Sequence, residues 1–156
     1  MRLSWVLLTL LLVPEAAMAA LFGDLFAGSA PATLGVLEGR LSPCPDRPNC
    51  VSSEAADDGH RVAGFRYAGD GDAALRKLAT IIATQEGARI VLQQSSYLHA
   101  EYRSRLMGFV DDVEFTLNPA TRTIEVRSAS RLGYSDLGVN RARVETLRAA
   151  FAEVRA

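Results

Sequence analysis

The sequence predicts an α+β domain of two layers, in which two helices cover one face of a mainly antiparallel, five-stranded sheet. Three observations lead to this fold class. One short apolar segment precedes a stretch with helical spacing, four alternating segments follow with short turns between them, and a second stretch with helical spacing closes the chain. The length of 156 residues suits one domain.

The first two predicted elements are a strand within residues 61–69 and a helix from about Ala73 to Glu86. Asp70 and Asp72 stand where a carboxylate accepts hydrogen bonds from the unpaired N–H groups of a helix start. Gly87 is placed to end the helix in the left-handed conformation.

Four strands and a final helix complete the prediction. Ser95 and Ser96 form one tight turn and residues 118–121 another, so the four strands are expected to run as an antiparallel meander. The last helix is predicted from about Arg141 to Val154, with Asn140 as its N-cap. The four strands are predicted within residues 88–94, 97–104, 108–117 and 122–130.

Residues 1–19 are predicted to be a signal peptide. Arg2 supplies a positive charge, Trp5–Val13 is apolar but too short for a stable membrane span, and Ala17–Ala19 offers the small residues that signal peptidase reads. Cleavage is expected after Ala19, with Ala20 as the near alternative, and an uncleaved N-terminal anchor is the competing interpretation. Cleavage would place the protein in the periplasm without a stable membrane span.

Residues 20–42 show no persistent period, so they are predicted to be an irregular leader lying across the domain surface. Residues 43–156 are predicted to form the single α+β domain. The formal net charge of −1 provides no basic field, which argues against a nucleic-acid partner.

The two cysteines, Cys44 and Cys50, are predicted to form a disulfide. Their even number suits an oxidising compartment, and Pro45 and Pro48 stiffen the five residues between them. A redox or metal-binding role is the alternative, although the spacing is not that of a C-x-x-C motif.

Alternation along the last three predicted strands divides their side chains between two faces of the sheet. The apolar face is expected to lie under the helices. The opposite face, called here the charged face, has two interpretations: a solvated surface held by cross-strand ion pairs, or a shallow polar site bordered by a long loop. The side chains assigned to the charged face are Tyr97, His99, Glu101, Arg103, Asp112, Glu114, Thr116, Thr123, Glu125 and Arg127.

As a binding site, this face would recognise an anionic ligand, because arginine presents forked donors to anions. The polar stretch Arg127–Asn140 is longer than the connection between a strand and a helix needs, which also suggests binding. Tyr134 and Leu137 are expected to dock this stretch on the domain. The alternative to binding is a self-bonded loop in which Arg131 and Asp136 satisfy each other and the local backbone. The predicted ligand-binding residues are Arg103, Arg127, Ser128, Ser130, Arg131, Tyr134 and Asp136.

A small hydrolase-like enzyme is the alternative from a different class. His99 would be the general base and Glu101 would orient it, but the sequence marks no nucleophile. Neither an H-x-x-x-H motif nor a cysteine pair at zinc spacing is present, so no metal and no cofactor are predicted.

Three segments of the sequence, PCPDRPNCVSS, AEYRSRLMGFVDDVEF and IEVRSASRLGYSDLGVNRARVE, resemble the bacterial family called domain of unknown function 1499. The resemblance extends from about Leu34 to Val154 and supplies no catalytic residues. The residues that match the family pattern are Cys44, Cys50, Glu101, Arg103, Arg105, Asp111, Asp112, Arg127, Ser128, Ser130, Arg131, Tyr134, Asp136 and Asn140.

The sequence therefore predicts an exported, non-enzymatic binding module of the periplasm. Its partner is expected to be a small anionic ligand or a protein of the cell envelope.

Overall fold

A computed structural model describes residues 26–153 of the chain. The predicted signal peptide at residues 1–19, the first part of the predicted leader and Val154 lie outside the described residues. Within the described range, the elements in chain order are β1 (Val36–Leu37), β2 (Arg40–Leu41), β3 (Cys50–Ser52), β4 (Phe65–Arg66), α1 (Gly71–Ala83), β5 (Ala88–Gln93), β6 (Tyr97–Arg103), β7 (Val110–Asn118), β8 (Thr123–Ser130) and α2 (Val139–Glu153).

The α+β class is confirmed, but the main sheet of the described residues has six strands where five were predicted. Its order is β3-β8-β7-β6-β5, and β4 pairs with β8 as well. Strand β3 pairs with residues 127–129 and β4 with residues 123–124, so the two short strands share one edge of β8. The three residues of β3 are too few for a period to show in the sequence, and their partners stand far along the chain.

The predicted antiparallel meander is confirmed by the pairing of β5 with β6, β6 with β7 and β7 with β8. The core lies between this meander and the two helices. Leu75, Leu78 and Ile82 form the buried stripe of α1. The ring of Phe65 packs edge-on against Phe115 at 5.7 Å, which joins strand and sheet in one apolar layer.

The predicted start of α1 is confirmed, because the Asp70 carboxylate accepts from the N–H groups of Asp72 and Ala73. The predicted end is wrong. The helix closes with Thr84 as its C-cap, and Gly87 leads instead into β5. Gly87 does have the expected positive φ of 72°, which brings its backbone against that of Arg103 in β6.

The predicted N-cap of α2 is also wrong. Asn140 is the second residue of the helix and is completely buried. The Asp136 carboxylate closes the first turn, accepting from Gly138 N–H at 3.0 Å and Asn140 N–H at 2.7 Å. Asn140 instead joins the helix to the sheet through its side-chain amide.

Residues 31–49, called here the N-terminal strap, cross the side of the sheet away from the helices. Residues 20–42 were predicted to be irregular. The strap departs from that prediction, because β1 and β2 pair as a small hairpin. Glu54 anchors this hairpin by accepting from Leu41 N–H at 2.9 Å and from the Arg40 guanidinium at 3.0 Å. The disulfide between Cys44 and Cys50, which is confirmed, ties the end of the strap to β3.

Candidate functional site

The centre of the charged face is buried, which corrects the expectation that it meets solvent. Asp112 is 1% exposed, Glu114 is 0% exposed and Arg127 is 6% exposed. The strap covers these residues, and Gly35 donates its N–H to the Glu114 carboxylate at 2.7 Å. The alternation of the strands revealed the polar character of this face, but a distant segment decides its burial.

Glu114 has a full set of hydrogen-bond donors. Besides Gly35, the Tyr97 hydroxyl donates to it at 2.8 Å and the Arg127 guanidinium at 3.2 Å. Burial, followed by this hydrogen bond to Glu114, raises the pKa of Tyr97, so the phenol keeps its proton and remains a donor. A buried carboxylate without such partners would be costly.

Asp112 is the second carboxylate at the centre of the charged face. Arg131 approaches it with both Nε, at 2.8 Å, and Nη2, at 2.7 Å, which is the forked geometry that guanidinium groups favour. His99 Nε2 lies 2.9 Å from Asp112 Oδ1. Burial opposes ionisation of Asp112, but hydrogen bonds from Arg131 and then His99 outweigh it and lower the pKa of the carboxyl.

Glu101 extends this network to the edge of the sheet. Arg131 Nη2 donates to it at 2.5 Å, and Arg89, from the neighbouring strand β5, donates at 2.6 Å. Burial raises the pKa of Glu101, but the hydrogen bonds from Arg89 and Arg131 more than offset that effect and leave the pKa lowered. Arg131 thus joins two carboxylates, and hydrogen bonding to Asp112 raises its own pKa.

A cavity of about 370 Å³ lies beside this network, between the strap and strands β7 and β8. Two residues in its wall carry buried polar atoms that have no hydrogen-bond partner among the described residues, namely Nε of Arg127 and Oδ1 of Asn49. Most buried polar groups in proteins are satisfied, so an unpaired donor and an unpaired acceptor in residues that line one cavity make this cavity the candidate site. The cavity is lined by Pro31, Thr33, Pro43, Cys44, Pro45, Arg47, Asn49, Asp112, Arg127, Ala129, Ser130 and Arg131.

Three of the predicted ligand-binding residues, Arg127, Ser130 and Arg131, meet in the wall of this cavity. The sequence did not single out Arg47 and Asn49, which also line it. Both residues stand between Cys44 and Cys50, and a polar loop closed by a disulfide was the signal that could have found them. The disulfide holds this loop against the end of β8, where Asn49 C=O accepts from Ser130 N–H at 3.0 Å.

The other four predicted ligand-binding residues are not among those that line the cavity. Arg103 is exposed at the end of β6, and Tyr134 is 70% exposed. Asp136 caps α2 and does not pair with Arg131 as the self-bonded loop required, because Arg131 turns to Asp112 and Glu101. Ser128 faces α2, since strand alternation places it on the side opposite Arg127.

Ser128 belongs to a second polar cluster, which fastens the start of α2 to the sheet. Its hydroxyl lies 2.5 Å from Asn140 Oδ1. Arg143 donates to Asp111 at 2.5 Å and stacks over the ring of Tyr102 at 4.6 Å. Burial, opposed by the charge of Arg143, raises the pKa of Tyr102 to about 12. We interpret this cluster as structural, because its hydrogen bonds and the stacking of Arg143 join α2 to the sheet. The Tyr102 hydroxyl itself is buried without a hydrogen-bond partner among the described residues.

The geometry departs from the proposed acid–base pair of the enzyme alternative. His99 contacts Asp112, whereas Glu101 is held by two arginines and does not orient His99. Neither His99 nor Glu101 is among the residues that line the cavity. Within residues 26–153, no group of three His, Cys, Asp or Glu side chains is placed to hold a metal ion.

No described helix is both long and apolar enough to cross a bilayer.

The fold and the site define a small α+β domain with a polar cavity closed on one side by a disulfide-bound strap. A family model described as "Protein of unknown function (DUF1499)" matches residues 40–151, and the chain belongs to this family. The resemblance of its sequence motifs is thereby confirmed. No curated protein gave a significant match.

Proposed function

We propose that this protein is an exported, periplasmic module that binds a small anion in the cavity between the strap and strands β7 and β8. The observation that carries the proposal is Arg127 Nε, a buried guanidinium donor in the cavity wall without a hydrogen-bond partner among the described residues. A buried donor left unpaired costs about 1–3 kcal/mol, and more when it is charged. An anionic acceptor in the cavity would remove that cost.

The charges around the cavity support an anion. Arg47, Arg127 and Arg131 line it against a single carboxylate, Asp112. Ser130 adds a hydroxyl, and the unpaired Oδ1 of Asn49 calls for a donor on the ligand. A volume of about 370 Å³ lies at the small end of ligand pockets, which suits a compact organic anion. We therefore infer a ligand that combines an anionic group with an N–H or O–H group, such as a hydroxycarboxylate.

The binding experiment is a calorimetric titration with sulfate, phosphate and small hydroxycarboxylates. Arg47→Gln is the informative variant, because Arg47 lines the cavity but is exposed and its loss should leave the fold intact. Losing one charge-assisted hydrogen bond corresponds to a loss in affinity of roughly tenfold or more. Arg76→Gln, which removes an exposed arginine of α1, is the matched control and should bind as the wild type does.

Two results would refute the binding proposal. One is that no anion in the panel binds more tightly than the uncharged amide of the same compound. The other is that Arg47→Gln and Arg76→Gln bind the best anion equally well.

Export is the second part of the proposal. The signal-like sequence of residues 1–19 and the disulfide support it, since disulfides persist in oxidising compartments. Protein recovered from the periplasmic fraction should have the intact mass of a chain that begins at Ala20 or Leu21. If the full-length chain is instead recovered from membranes and stays bound to them through salt washes, export by cleavage is contradicted.

A further inference from the structure

Two loops at one end of the main sheet expose large apolar side chains. The loop of residues 104–109, between β6 and β7, carries Leu106 with 88% exposure and Met107 with 48%. The loop of residues 131–138, between β8 and α2, carries Leu137 with 94% exposure and Tyr134 with 70%. Tyr134 and Leu137 therefore do not dock their loop, as their sequence suggested, but leave their side chains in solvent.

These loops, called here the tip loops, are neighbours. Strand β7 starts where the first loop ends, and β8 ends where the second begins, and Arg131 N–H donates to Val110 C=O at 3.1 Å between them. The N-terminal chain joins the domain at the same end, because the ring of Phe26 packs on Phe109 of the first loop at 5.2 Å. The residues just before Phe26 include three large apolar ones, Leu21, Phe22 and Leu25.

The backbone at Leu137 points to a function for this exposure. Leu137 has a φ of 56°, in the left-handed region that a leucine rarely occupies. That conformation costs roughly 1–2 kcal/mol, and a nearly fully exposed side chain regains none of it by burial within the domain. Strain of this kind is typically kept where it positions a residue for a function.

The chemistry of the tip loops matches the interface of a membrane. Leucine, methionine and tyrosine insert at the boundary between headgroups and acyl chains, and arginine contacts anionic headgroups there. Arg105, an exposed residue next to Leu106, is a cation of the first loop. The only carboxylate in the two loops belongs to Asp136, which is occupied in capping α2. The tips thus present apolar groups and a cation, with their one acid turned to the fold.

We propose that the tip loops dock on an anionic lipid surface, so that the protein rests on the bilayer with this end of the sheet. The entry of the N-terminal chain at the same end favours lipid as the occupant. In the export proposed above, on which this argument for the occupant rests, residues 1–19 hold the chain at the membrane until cleavage, and the Phe26 contact then places this end of the domain nearest the lipid. This inference is independent of the anion cavity, which lies under the strap.

The experiment uses protein recovered from the periplasmic fraction after expression in a Trp5→Phe background, so that no chain, cleaved or not, carries Trp5, the only tryptophan of the sequence. Single variants Leu106→Trp, Leu137→Trp and Leu37→Trp are mixed with vesicles of phosphatidylglycerol and phosphatidylethanolamine that contain brominated acyl chains. Leu37 is the matched control, since it is 76% exposed but belongs to the hairpin anchored by Glu54, away from the tip loops. Fluorescence from positions 106 and 137 should be quenched, and that from position 37 should not.

A second measurement tests the energetics without a probe. In vesicle flotation, the double variant Leu106→Asp/Leu137→Asp should partition to anionic vesicles about tenfold more weakly than Leu37→Asp. Equal quenching at all three positions, or equal partitioning of both aspartate variants, would overturn the proposal. Self-association of the wild type through these loops, without any quenching by lipid, would assign the surface to a protein contact and overturn it as well. Binding to phosphatidylcholine vesicles as strong as to anionic ones would refute the headgroup contact.

Discussion

The role of Arg131 in the structure differs from the role that its sequence position suggested. As a loop residue it was predicted either to bind a ligand or to pair with Asp136. Its side chain is 7% exposed and joins Asp112 and Glu101. Most of its hydrogen-bonding capacity therefore serves the fold, and only its place in the cavity wall remains for a ligand.

We predict that Arg131→Ala lowers the free energy of unfolding by about 3–5 kcal/mol, because it leaves the buried Asp112 carboxylate without its cation and Glu101 with Arg89 alone. The measurement is urea unfolding. Arg76→Ala is the matched control, since Arg76 is 63% exposed and its ion pair with Asp70 spans 3.7 Å. An exposed pair of this kind contributes about 0–1 kcal/mol. Similar losses in the two variants would contradict the buried network.

Arg127 combines both roles in one side chain. Nη1 donates to Glu114 at 3.2 Å, while Nε is buried without a partner among the described residues in a side chain that lines the cavity. Cross-strand ion pairing was one of the two interpretations of the charged face, and Arg127 makes such a pair with Glu114. Because the same guanidinium stabilises the fold, a variant at Arg127 confounds binding with stability, and the exposed Arg47 gives the cleaner test of the cavity.

At the scale of elements, the packing of α1 against the meander depends on the turn at Gly87. This residue has a φ of 72°, and a Cβ added there would lie 2.4 Å from the carbonyl oxygen of Arg103. That distance is too short for any side chain. The obstacle is backbone at the end of the β5–β6 pair, held in place by the hydrogen bond that Arg103 N–H donates to Gly87 C=O at 2.9 Å.

We predict that Gly87→Ala is more destabilising than Gly69→Ala, which provides a matched control. Gly69 has a similar φ of 75°, but an added Cβ meets nothing within 4 Å. Gly69→Ala should therefore lose only the cost of a left-handed alanine, about 1–2 kcal/mol. Gly87→Ala should lose more of the free energy of unfolding, because the clash adds to that cost. Equal urea midpoints for the two variants would contradict the prediction and show that the β6 backbone shifts to make room.

The strap is the other element on which the site depends. It supplies the Gly35 donor to Glu114, one wall of the cavity and, through the disulfide, the position of Arg47 and Asn49. The strap has little regular structure of its own beyond the β1–β2 hairpin. Its order therefore comes from these contacts with the sheet and not from local propensity.

At the scale of the whole molecule, the buried carboxylates make stability depend on pH. The pKa values of Asp112 and Glu101 are lowered in the folded state. Such groups stabilise the fold above their unfolded pKa, which is about 4, and this contribution disappears as the pH falls through the folded pKa. The free energy of unfolding should thus not change with the titration of these two groups near neutral pH, and it should fall in acid below about pH 4.

We predict that the free energy of unfolding is lower in Asp112→Asn than in the wild type. This difference should be largest near neutral pH and should become smaller below about pH 4. The measurement is urea unfolding of both proteins across the acid range. Asp58→Asn, at an exposed aspartate, is the control and should run parallel to the wild type. A difference between wild type and Asp112→Asn that persists unchanged to about pH 2 would contradict a lowered pKa at Asp112.

Much of the framework follows from short-range patterns in the sequence. The spacing of Leu75, Leu78 and Ile82 predicted α1, and alternation predicted the four strands of the meander. Asp70 marked a helix start, and the two prolines between Cys44 and Cys50 marked a constrained turn. These features depend on neighbours within a few residues, and their physical causes can be read locally.

The burial of the polar residues and the identity of their partners depend on contacts between distant parts of the chain. Alternation placed Asp112, Glu114 and Arg127 on one face, but a sheet has two faces and the pattern does not say what covers the second. The cover comes from Gly35, which stands 79 residues before its partner Glu114. Pairings over such separations leave no periodic trace in the sequence, because each depends on where the whole chain folds. The cavity, the exposed tip loops and the true partner of Arg131 arise in the same way.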